Sequence, residues 1–502
     1  MAVVPFGKAG ECRGPRTYDA VIRGLRTTDA TDVLIFAHGW NNTYEKAMGW
    51  YESFLAGLAG LAGLAGLAGL AGLAGLAGMA GMAGASRGAG GTGGAGAVGV
   101  PGAPELRPHP IGVVWPSTAL VLPSEEGPAM AGPGRPDPLG AVVAERIDPR
   151  VRRRYAELAA ADRLDEGQAV EFARMLAPLW GAEMSTEDLL RRWHRAPEET
   201  GTGQRRDRER DRAGDFGFVG EFGAWSSGAA EPDAAGVPRW ADPRWLVRLT
   251  TVLLMKDRAA RVGAHGVGRL LRDVLAATDL PVRLIGHSYG ARVLLSALCG
   301  PPLPRPVASV LLLQGAVSRM CFAPDADGTG RPGGYRAALD RDRTHQPLLA
   351  TFSGADRPLT RFFHWAARRG ADLGEARIAG GPDGLPPAPS RYAALGGYGP
   401  GGCGPECRVV RARLPYEPYD VGEMAAGPAR LLALDASDVI TGHGDISNPA
   451  TWWMLGNQVT AGTGSAPDAT AAPYPPAAPS APPPSATPSA PPSSATPEGR
   501  PL

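Results

Sequence analysis

Residues 280–298, LPVRLIGHSYGARVLLSAL, constrain the fold more than any other stretch of this chain. The run LPVRLI is short, apolar and rich in branched side chains, which predicts a buried strand, whereas ARVLLSAL carries apolar residues at helical spacing. Between the two runs, Ser288 lies two residues after Gly286 and two before Gly290. A serine at such a sharp turn has a strained backbone, and the positions beside it must be small. The stretch therefore predicts a strand, a tight turn and a helix in the G-x-S-x-G pattern.

Other apolar runs along the chain have the same character. They lack polar alternation and are separated by segments with helical spacing, which is typical of parallel strands covered on both faces. We therefore expect an α/β fold, with a mostly parallel central sheet and helices on both faces. Strands are predicted over 18–24, 32–40, 111–115, 308–316, 346–354 and 430–437, and a helix over 245–277.

Insertions account for much of the length of the chain. Its 502 residues include 70 glycines and 50 prolines, which are concentrated in a few segments, so we expect one large domain rather than three. The predicted core consists of residues 1–54, 105–116 and 243–460. The remaining segments are a Leu-Ala-Gly and Gly-rich insertion (55–104), a charged, mainly helical, cap-like insertion (117–242), and a Pro/Ala/Ser-rich tail (461–502) expected to be disordered.

The Leu-Ala-Gly repeat has eight triplets from Leu55 to Gly78, and no charged residue lies between Glu52 and Arg87. A membrane contact is therefore one interpretation. In a helix, however, each triplet turns by about 300°, so the leucines wind around the helix instead of forming one face. Two Met-Ala-Gly triplets follow, to Gly84, and the ten interior glycines would cost on the order of 10 kcal/mol relative to alanine. We favour an insertion that lengthens a surface helix and loop.

Charge and cysteine content restrict the classes of partner. The net charge of +1 argues against a nucleic acid or an anionic membrane as the main partner. The five cysteines are odd in number and scattered, which is typical of a reducing compartment, and the first residues lack the pattern of a signal peptide. Cytoplasmic localisation is expected. Cys403 and Cys407 could form half a zinc site, but no second Cys/His pair lies near them in the sequence, so we expect neither a metal nor a cofactor.

A serine hydroxyl becomes a good nucleophile only when an imidazole accepts its proton and a carboxylate orients that imidazole. In the G-x-S-x-G architecture, the acid and then the histidine follow the serine along the chain. Three histidines follow Ser288. His345 precedes a predicted strand and His364 lies in a predicted helix, whereas His443 follows the last strand in a glycine-flanked loop. His443 is the candidate general base and acid.

The candidate carboxylate is Asp356, which directly follows the strand predicted over 346–354. Its alternative role would be to cap the helix after it. Asp435 and Asp438 end the strand that leads to His443, so either could orient the imidazole instead.

A tetrahedral oxyanion needs two backbone N–H donors. The residue after the serine, Tyr289, is one candidate. The second is Trp40, in the loop after the strand predicted over 32–40, where Gly39 permits a sharp turn. His38 is expected to support this loop rather than to transfer protons.

The HGW turn at 38–40, the GHSYG sequence at 286–290, the aspartate at 356 and the GHGD sequence at 442–445 resemble the α/β-hydrolase superfamily, in its esterase- and lipase-like serine-hydrolase branch. The resemblance covers roughly residues 18–54, 108–116 and 245–446. It implies an eight-stranded, mostly parallel sheet and a two-step acyl transfer. Ser288 would form an acyl-enzyme, His443 would activate water to release it, and His287 would support the turn.

Three functions are compatible with these motifs. The first is hydrolysis of a small-molecule ester, thioester or lipid-like acyl bond. The second is a catalytically silent binding or scaffold protein that uses the repeat and the tail as contact surfaces. The third is a peptidase or perhydrolase with the same catalytic residues, because fold and triad do not specify the acyl group. The motifs leave the oligomeric state open.

Overall fold

The computed structural model describes residues 1–63, 106–117, 138–181, 184–194, 242–363, 392–415, 417–419 and 421–462. Most of the Leu-Ala-Gly insertion, His364 and the Pro-rich tail lie outside these described residues. The predictions made for them stay predictions.

The centre of the fold is an eight-stranded sheet in the order β1-β3-β2-β4-β5-β6-β8-β7. Every neighbouring pair in it is parallel, as the unbroken apolar runs predicted. The strands are β1 Ala2–Pro5, β2 Asp32–Ala37, β3 Pro108–Val114, β4 Val282–His287, β5 Ser309–Leu313, β6 Leu348–Phe352, β7 Cys407–Arg411 and β8 Leu431–Asp435.

Both faces of the sheet are buried. In β2, Val33, Ile35 and Ala37 belong to one hydrophobic cluster, whereas Leu34 and Phe36 belong to a second. Because successive side chains of a strand point to opposite faces, the two clusters lie on the two sides of the sheet. This explains why the strand has no polar alternation.

Helices supply the other side of each cluster. The helices of the described residues are α1 Pro15–Leu25, α2 Tyr44–Gly63, α3 Pro138–Ala144, α4 Arg152–Ala159, α5 Glu166–Leu176, α6 Thr186–His194, α7 Pro243–Arg261, α8 Gly268–Ala277, α9 Tyr289–Leu298, α10 Leu395–Tyr398, α11 Val421–Ala426 and α12 Pro449–Gly462. Buried residues of α1, α7, α8 and α9 belong to the cluster that contains Val33. Those of α2, α11 and α12 belong to the cluster that contains Leu34.

The prediction of a strand over residues 18–24 is wrong, because this segment lies within α1. Pro15 lies in the first turn, where a missing N–H costs nothing, and Val21 and Leu25 bury a single helical stripe. The first strand is instead β1, a run of only four residues. The other strand that the sequence interpretation missed, β7, is an edge strand whose sequence CRVVR has two arginines among its five residues.

The Leu-Ala-Gly repeat begins inside α2, which continues through its first three triplets to Gly63. Leu55 and Leu58 are buried in the core. A side chain at Gly57 would overlap the indole ring of Trp452 in α12, so the glycine lets the two helices approach closely. Within the described ranges, no helix has the length and apolarity needed to cross a membrane.

The described part of the insertion between β3 and α7 contains the helices α3 to α6. Its helices α3 to α6 contribute buried side chains to the cluster that contains Val33. Trp180, just after α5, donates a hydrogen bond of 3.0 Å from Nε1 to Oγ1 of Thr250 in α7. The insertion is therefore anchored on the helix that leads towards β4.

Candidate active site

Strands β2 and β4 are neighbours, but the helices that follow them, α2 and α9, pack on opposite faces of the sheet. In a parallel sheet, such a point opens a crevice beyond the carboxyl ends of the strands. The loop after β2 carries Gly39 and Trp40, and the turn after β4 carries Ser288. Two of the predicted motifs therefore meet at this crevice.

Ser288 forms the turn between β4 and α9 in a strained backbone conformation, with φ 53° and ψ −120°. Side-chain-bearing residues rarely adopt this region of backbone space. Three hydrogen bonds hold the turn: the Ser288 N–H donates to the carbonyl of Leu313 (3.0 Å), and its carbonyl accepts from the N–H groups of Ala291 and Ala316 (3.1 Å each). The surrounding backbone therefore imposes the strain on the serine.

The two glycines of the GHSYG sequence are required by close backbone contacts. A Cβ atom at Gly286 would lie 2.9 Å from the backbone nitrogen of Ala291. A Cβ atom at Gly290 would overlap the carbonyl group of Ala37 at the end of β2. The missing side chains thus let α9 begin directly against the neighbouring strand.

Gly39 brings the loop after β2 into contact with the serine. A Cβ atom at this position would lie 2.9 Å from Cβ of Ser288 and 3.1 Å from Nδ1 of His287. Real Cβ atoms essentially never come as close as the first of these distances. Only glycine lets this loop approach the turn so closely.

Asp356 and His443 form a hydrogen-bonded pair. Nδ1 of His443 lies 2.7 Å from Oδ2 of Asp356, and both side chains are fully buried. Asp356 follows β6 and His443 follows β8, and these two strands are adjacent in the sheet. Because a carboxylate only accepts, Nδ1 carries the proton of the neutral ring and Nε2 is the basic nitrogen.

The two alternative carboxylates have other partners. Oδ1 of Asp435 accepts hydrogen bonds from the backbone N–H and the hydroxyl of Ser437. Asp438 is exposed and lies 3.8 Å from the guanidinium of Arg411. Of the three candidates, Asp356 is the one that the structure places on the imidazole.

His287 links the serine turn to the His443 loop. Its Nε2–H donates to the carbonyl of His443 over 3.0 Å, and the two ring centroids are 4.8 Å apart. Burial, and then the nearby His443, lower the pKa of His287 well below its usual range. A neutral His287 therefore holds the loop that presents His443.

His38 lies against the loop after β2 and bonds its backbone. Nδ1 donates to the carbonyl of Gly39 (2.9 Å), Nε2 accepts from the backbone N–H of Trp115 (3.3 Å), and the ring stacks on the Trp115 indole. Burial lowers the pKa of His38 to about 4. Both nitrogens are used, so this neutral ring serves to hold the loop.

The segment that carries Trp40 is hydrogen-bonded to Ser117, three residues after the end of β3. Asn41 has a positive φ of 57°, and its N–H donates to the carbonyl of Ser117 over 3.0 Å. The Ser117 hydroxyl donates to the carbonyl of Asn42 (2.9 Å), and the Asn42 amide donates to the carbonyl of Trp40 (3.1 Å). The rings of Trp40 and Tyr289, the two predicted oxyanion donors, have centroids 6.3 Å apart.

Gln314 is a site residue that the sequence interpretation missed. Its Nε2–H donates to Oδ2 of Asp356 over 3.2 Å, and the residue is fully buried at the end of β5. The available signal was a glutamine directly after the apolar run of 309–313, at the carboxyl edge of the sheet. The strand predicted over 308–316 includes this residue, so the sequence does not set it apart from the strand.

Comparison of the chain with protein-family models, with curated proteins and with solved structures gave no match. Within the part of the chain that the structure describes, no group of three or more His, Cys, Asp or Glu side chains is arranged to hold a metal ion. What the site can do chemically follows from its own groups: a strained serine, a buried carboxylate–imidazole pair and a glycine-mediated contact between two loops.

Proposed function

We propose that this protein is a serine hydrolase of the α/β-hydrolase superfamily that cleaves a carboxylic ester, or a related thioester or lipid-like acyl bond. The observation that carries the proposal is the buried pair of Asp356 and His443. The carbonyl of His443 accepts a hydrogen bond from His287, the residue before the strained Ser288. A structural ion pair would not require the strained turn beside it. The localisation that we propose is the cytoplasm.

The order of the groups along the chain and across the sheet supports this class. The serine follows β4, the acid follows β6 and the histidine follows β8, which is the chain order of the G-x-S-x-G hydrolases. All three lie beyond the carboxyl ends of parallel strands, where active sites of open α/β sheets occur.

In the proposed reaction, Oγ of Ser288 attacks the carbonyl carbon of the ester as Nε2 of His443 takes the hydroxyl proton. The Asp356 carboxylate stabilises the imidazolium that forms, because it accepts the Nδ1–H hydrogen bond. The backbone N–H groups of Trp40 and Tyr289 would donate to the oxyanion.

Collapse of the tetrahedral intermediate breaks the bond to the leaving alcohol, which receives the proton from Nε2 of His443. Water then gives a proton to the same nitrogen and attacks the acyl group on Ser288. Release of the acid returns the proton to the Ser288 oxygen, so the enzyme is regenerated and one ester and one water are consumed.

The test is a burst experiment with p-nitrophenyl esters of increasing acyl length. The proposal predicts a burst of nitrophenol that approaches one equivalent of enzyme, or steady turnover, and its loss in Ser288→Ala. The matched control is Ser296→Ala on the same helix, because its hydroxyl bonds Tyr335, away from the turn. If Ser288→Ala hydrolyses the esters as fast as the unaltered chain, the proposal is wrong. If the folded, unaltered protein gives neither burst nor turnover and Ser288 resists a reactive phosphonate, a binding role replaces it.

A further inference from the structure

The carboxylate of Asp356 has no solvent exposure and receives three hydrogen bonds. Oδ2 accepts from Nδ1 of His443 (2.7 Å) and from Nε2 of Gln314 (3.2 Å). Oδ1 accepts from the backbone N–H of Leu359 over 3.0 Å. The atom that faces the imidazole is thus shared with a second donor, the Gln314 amide.

The orientation of the Gln314 amide is fixed by Thr351 in the neighbouring strand β6. The backbone N–H of Gln314 donates to Oγ1 of Thr351 over 3.0 Å. The hydroxyl proton of Thr351 is then available to donate to Oε1 of Gln314, which lies 2.8 Å away. With Oε1 engaged as an acceptor, the NH₂ group is directed at the carboxylate, which only accepts.

The backbone of Gln314 is also constrained. Its φ of 47° lies in the left-handed region, which is uncommon for residues other than glycine, asparagine and aspartate. A side chain at Gly396 would overlap the Gln314 backbone, so the segment around Gly396 covers it closely. Hydrogen bonds from Gly396 N–H to the carbonyl of Gly315 (3.0 Å) and from Ser353 N–H to the carbonyl of Gly396 (2.9 Å) hold that cover in place.

We propose that Gln314 is a positioning residue, which fixes the Asp356 carboxylate so that Oδ2 faces Nδ1 of His443; this inference rests on the proposed function. A carboxylate can rotate about its bond to Cβ, and a single hydrogen bond does not prevent this. The Gln314 amide and the Leu359 N–H hold opposite oxygens of the carboxylate and fix its plane. Gln314 also donates to the ionised form and so competes with His443 for electron density on Oδ2.

Two variants of Gln314 test the proposal. Gln314→Met removes the donor at similar volume, and Gln314→Glu removes the N–H donor and places a second titratable carboxyl group beside Asp356. Both are expected to lower kcat at least tenfold with little change in KM, since neither group touches substrate. Removal of a hydrogen bond to an ionised group should also move the acid limb of the kcat/KM profile to higher pH by about one unit.

The matched control is Gln346→Glu, which makes the same chemical change at a buried glutamine whose amide bonds the carbonyl of Gln458. Its acid limb should stay in place. If Gln314→Met does not fold, Thr351→Val removes the hydroxyl that orients the amide and should shift the limb in the same direction. A folded Gln314→Met or Thr351→Val protein with an unchanged kcat and acid limb overturns the proposal.

A readout that needs no turnover separates this proposal from the proposed function. The Nδ1 proton of His443, bonded to Asp356, should give a downfield ¹H resonance that shifts or disappears in Gln314→Met and stays in Gln346→Glu. If the unaltered protein hydrolyses no ester but the resonance responds in this way, the hydrolase function fails and the positioning role stands. If the resonance is the same in Gln314→Met as in the unaltered protein, Gln314 does not position the carboxylate, whatever the activity.

Discussion

Nδ1 of His443 and Oδ2 of Asp356 lie 2.7 Å apart, and neither side chain is exposed to solvent. The two residues are 87 positions apart in the chain and meet because β6 and β8 are adjacent in the sheet. A hydrogen bond of this kind, shielded from water, holds the imidazole in one tautomer and one orientation.

Asp356→Asn should reduce kcat by about 10⁴-fold, because an amide in place of the carboxylate favours the wrong tautomer of the imidazole. Asp435→Asn is the matched control: that carboxylate bonds Ser437 and not His443. Steady-state kinetics on an ester that the unaltered chain cleaves would measure both. Equal losses in the two variants would remove Asp356 from its proposed role.

Gly39→Ala should slow the reaction of Ser288 with a phosphonate by about 100-fold, since it displaces the loop that carries one proposed oxyanion donor. The added methyl would lie 2.9 Å from Cβ of Ser288. Gly49→Ala, in α2, provides the control because no atom lies within 4 Å of its added Cβ. The labelling rates of the two variants are the measurement, and similar rates would show that the contact at Gly39 has no part in the chemistry.

Ser288→Gly should be more stable than Ser288→Ala by about 1 kcal/mol. Glycine relieves the backbone strain at this turn, and this gain is partly offset by the larger conformational entropy of glycine in the unfolded chain. The alanine variant retains φ 53° and therefore the strain. Chemical denaturation of the two variants, which differ by one methyl group, gives the difference directly. A glycine variant that is the less stable of the two would contradict a strained turn.

The stability of the protein should decrease as the pH falls from about 6.5 to about 4. Burial lowers the pKa of His38 to about 4, whereas a histidine of the unfolded chain titrates near 6.5. Between these values the unfolded state binds a proton that the folded state does not. The free energy of unfolding therefore decreases as the pH is lowered, and His38 accounts for roughly 3 kcal/mol of this decrease. Below about pH 4 both states are protonated and the effect levels off.

Urea unfolding between pH 4 and pH 8 would measure this dependence, with His38→Gln as the comparison. The glutamine oxygen can still accept the N–H of Trp115, but it does not titrate. Buried His287 is present in both proteins, so the difference in slope isolates His38. Parallel curves would rule out the assigned contribution of this ring.

The parts of the fold and site that could be predicted from the sequence are those encoded locally. The run of 280–285 and its GHSYG turn define β4 and α9, since a buried parallel strand must be apolar throughout. Asp356 and His443 could be located because each lies in the segment that follows such a strand. Segment 18–24 was assigned wrongly because a short apolar stripe fits a helix as well as a strand, and Pro15 decides for the helix.

Residues whose role depends on neighbours across the sheet could not be predicted in this way. Gln314 reaches Asp356 only because β5 pairs with β6, in a register that aligns Leu311 with Leu349. Ser117 supports the Trp40 loop across a separation of 75 residues from Asn42. The local sequence gives only the position of Gln314 after an apolar run; the partners of Gln314 and Ser117 follow from strand order and register.

The most direct test for an activated serine is labelling of the purified full chain with a fluorophosphonate, followed by mass-spectrometric mapping of the modified residue. We expect a single adduct on Ser288, lost in Ser288→Ala and kept in Ser296→Ala. Folded protein that acquires no adduct, or acquires it at another residue while Ser288 stays unmodified, would contradict an activated serine at this site.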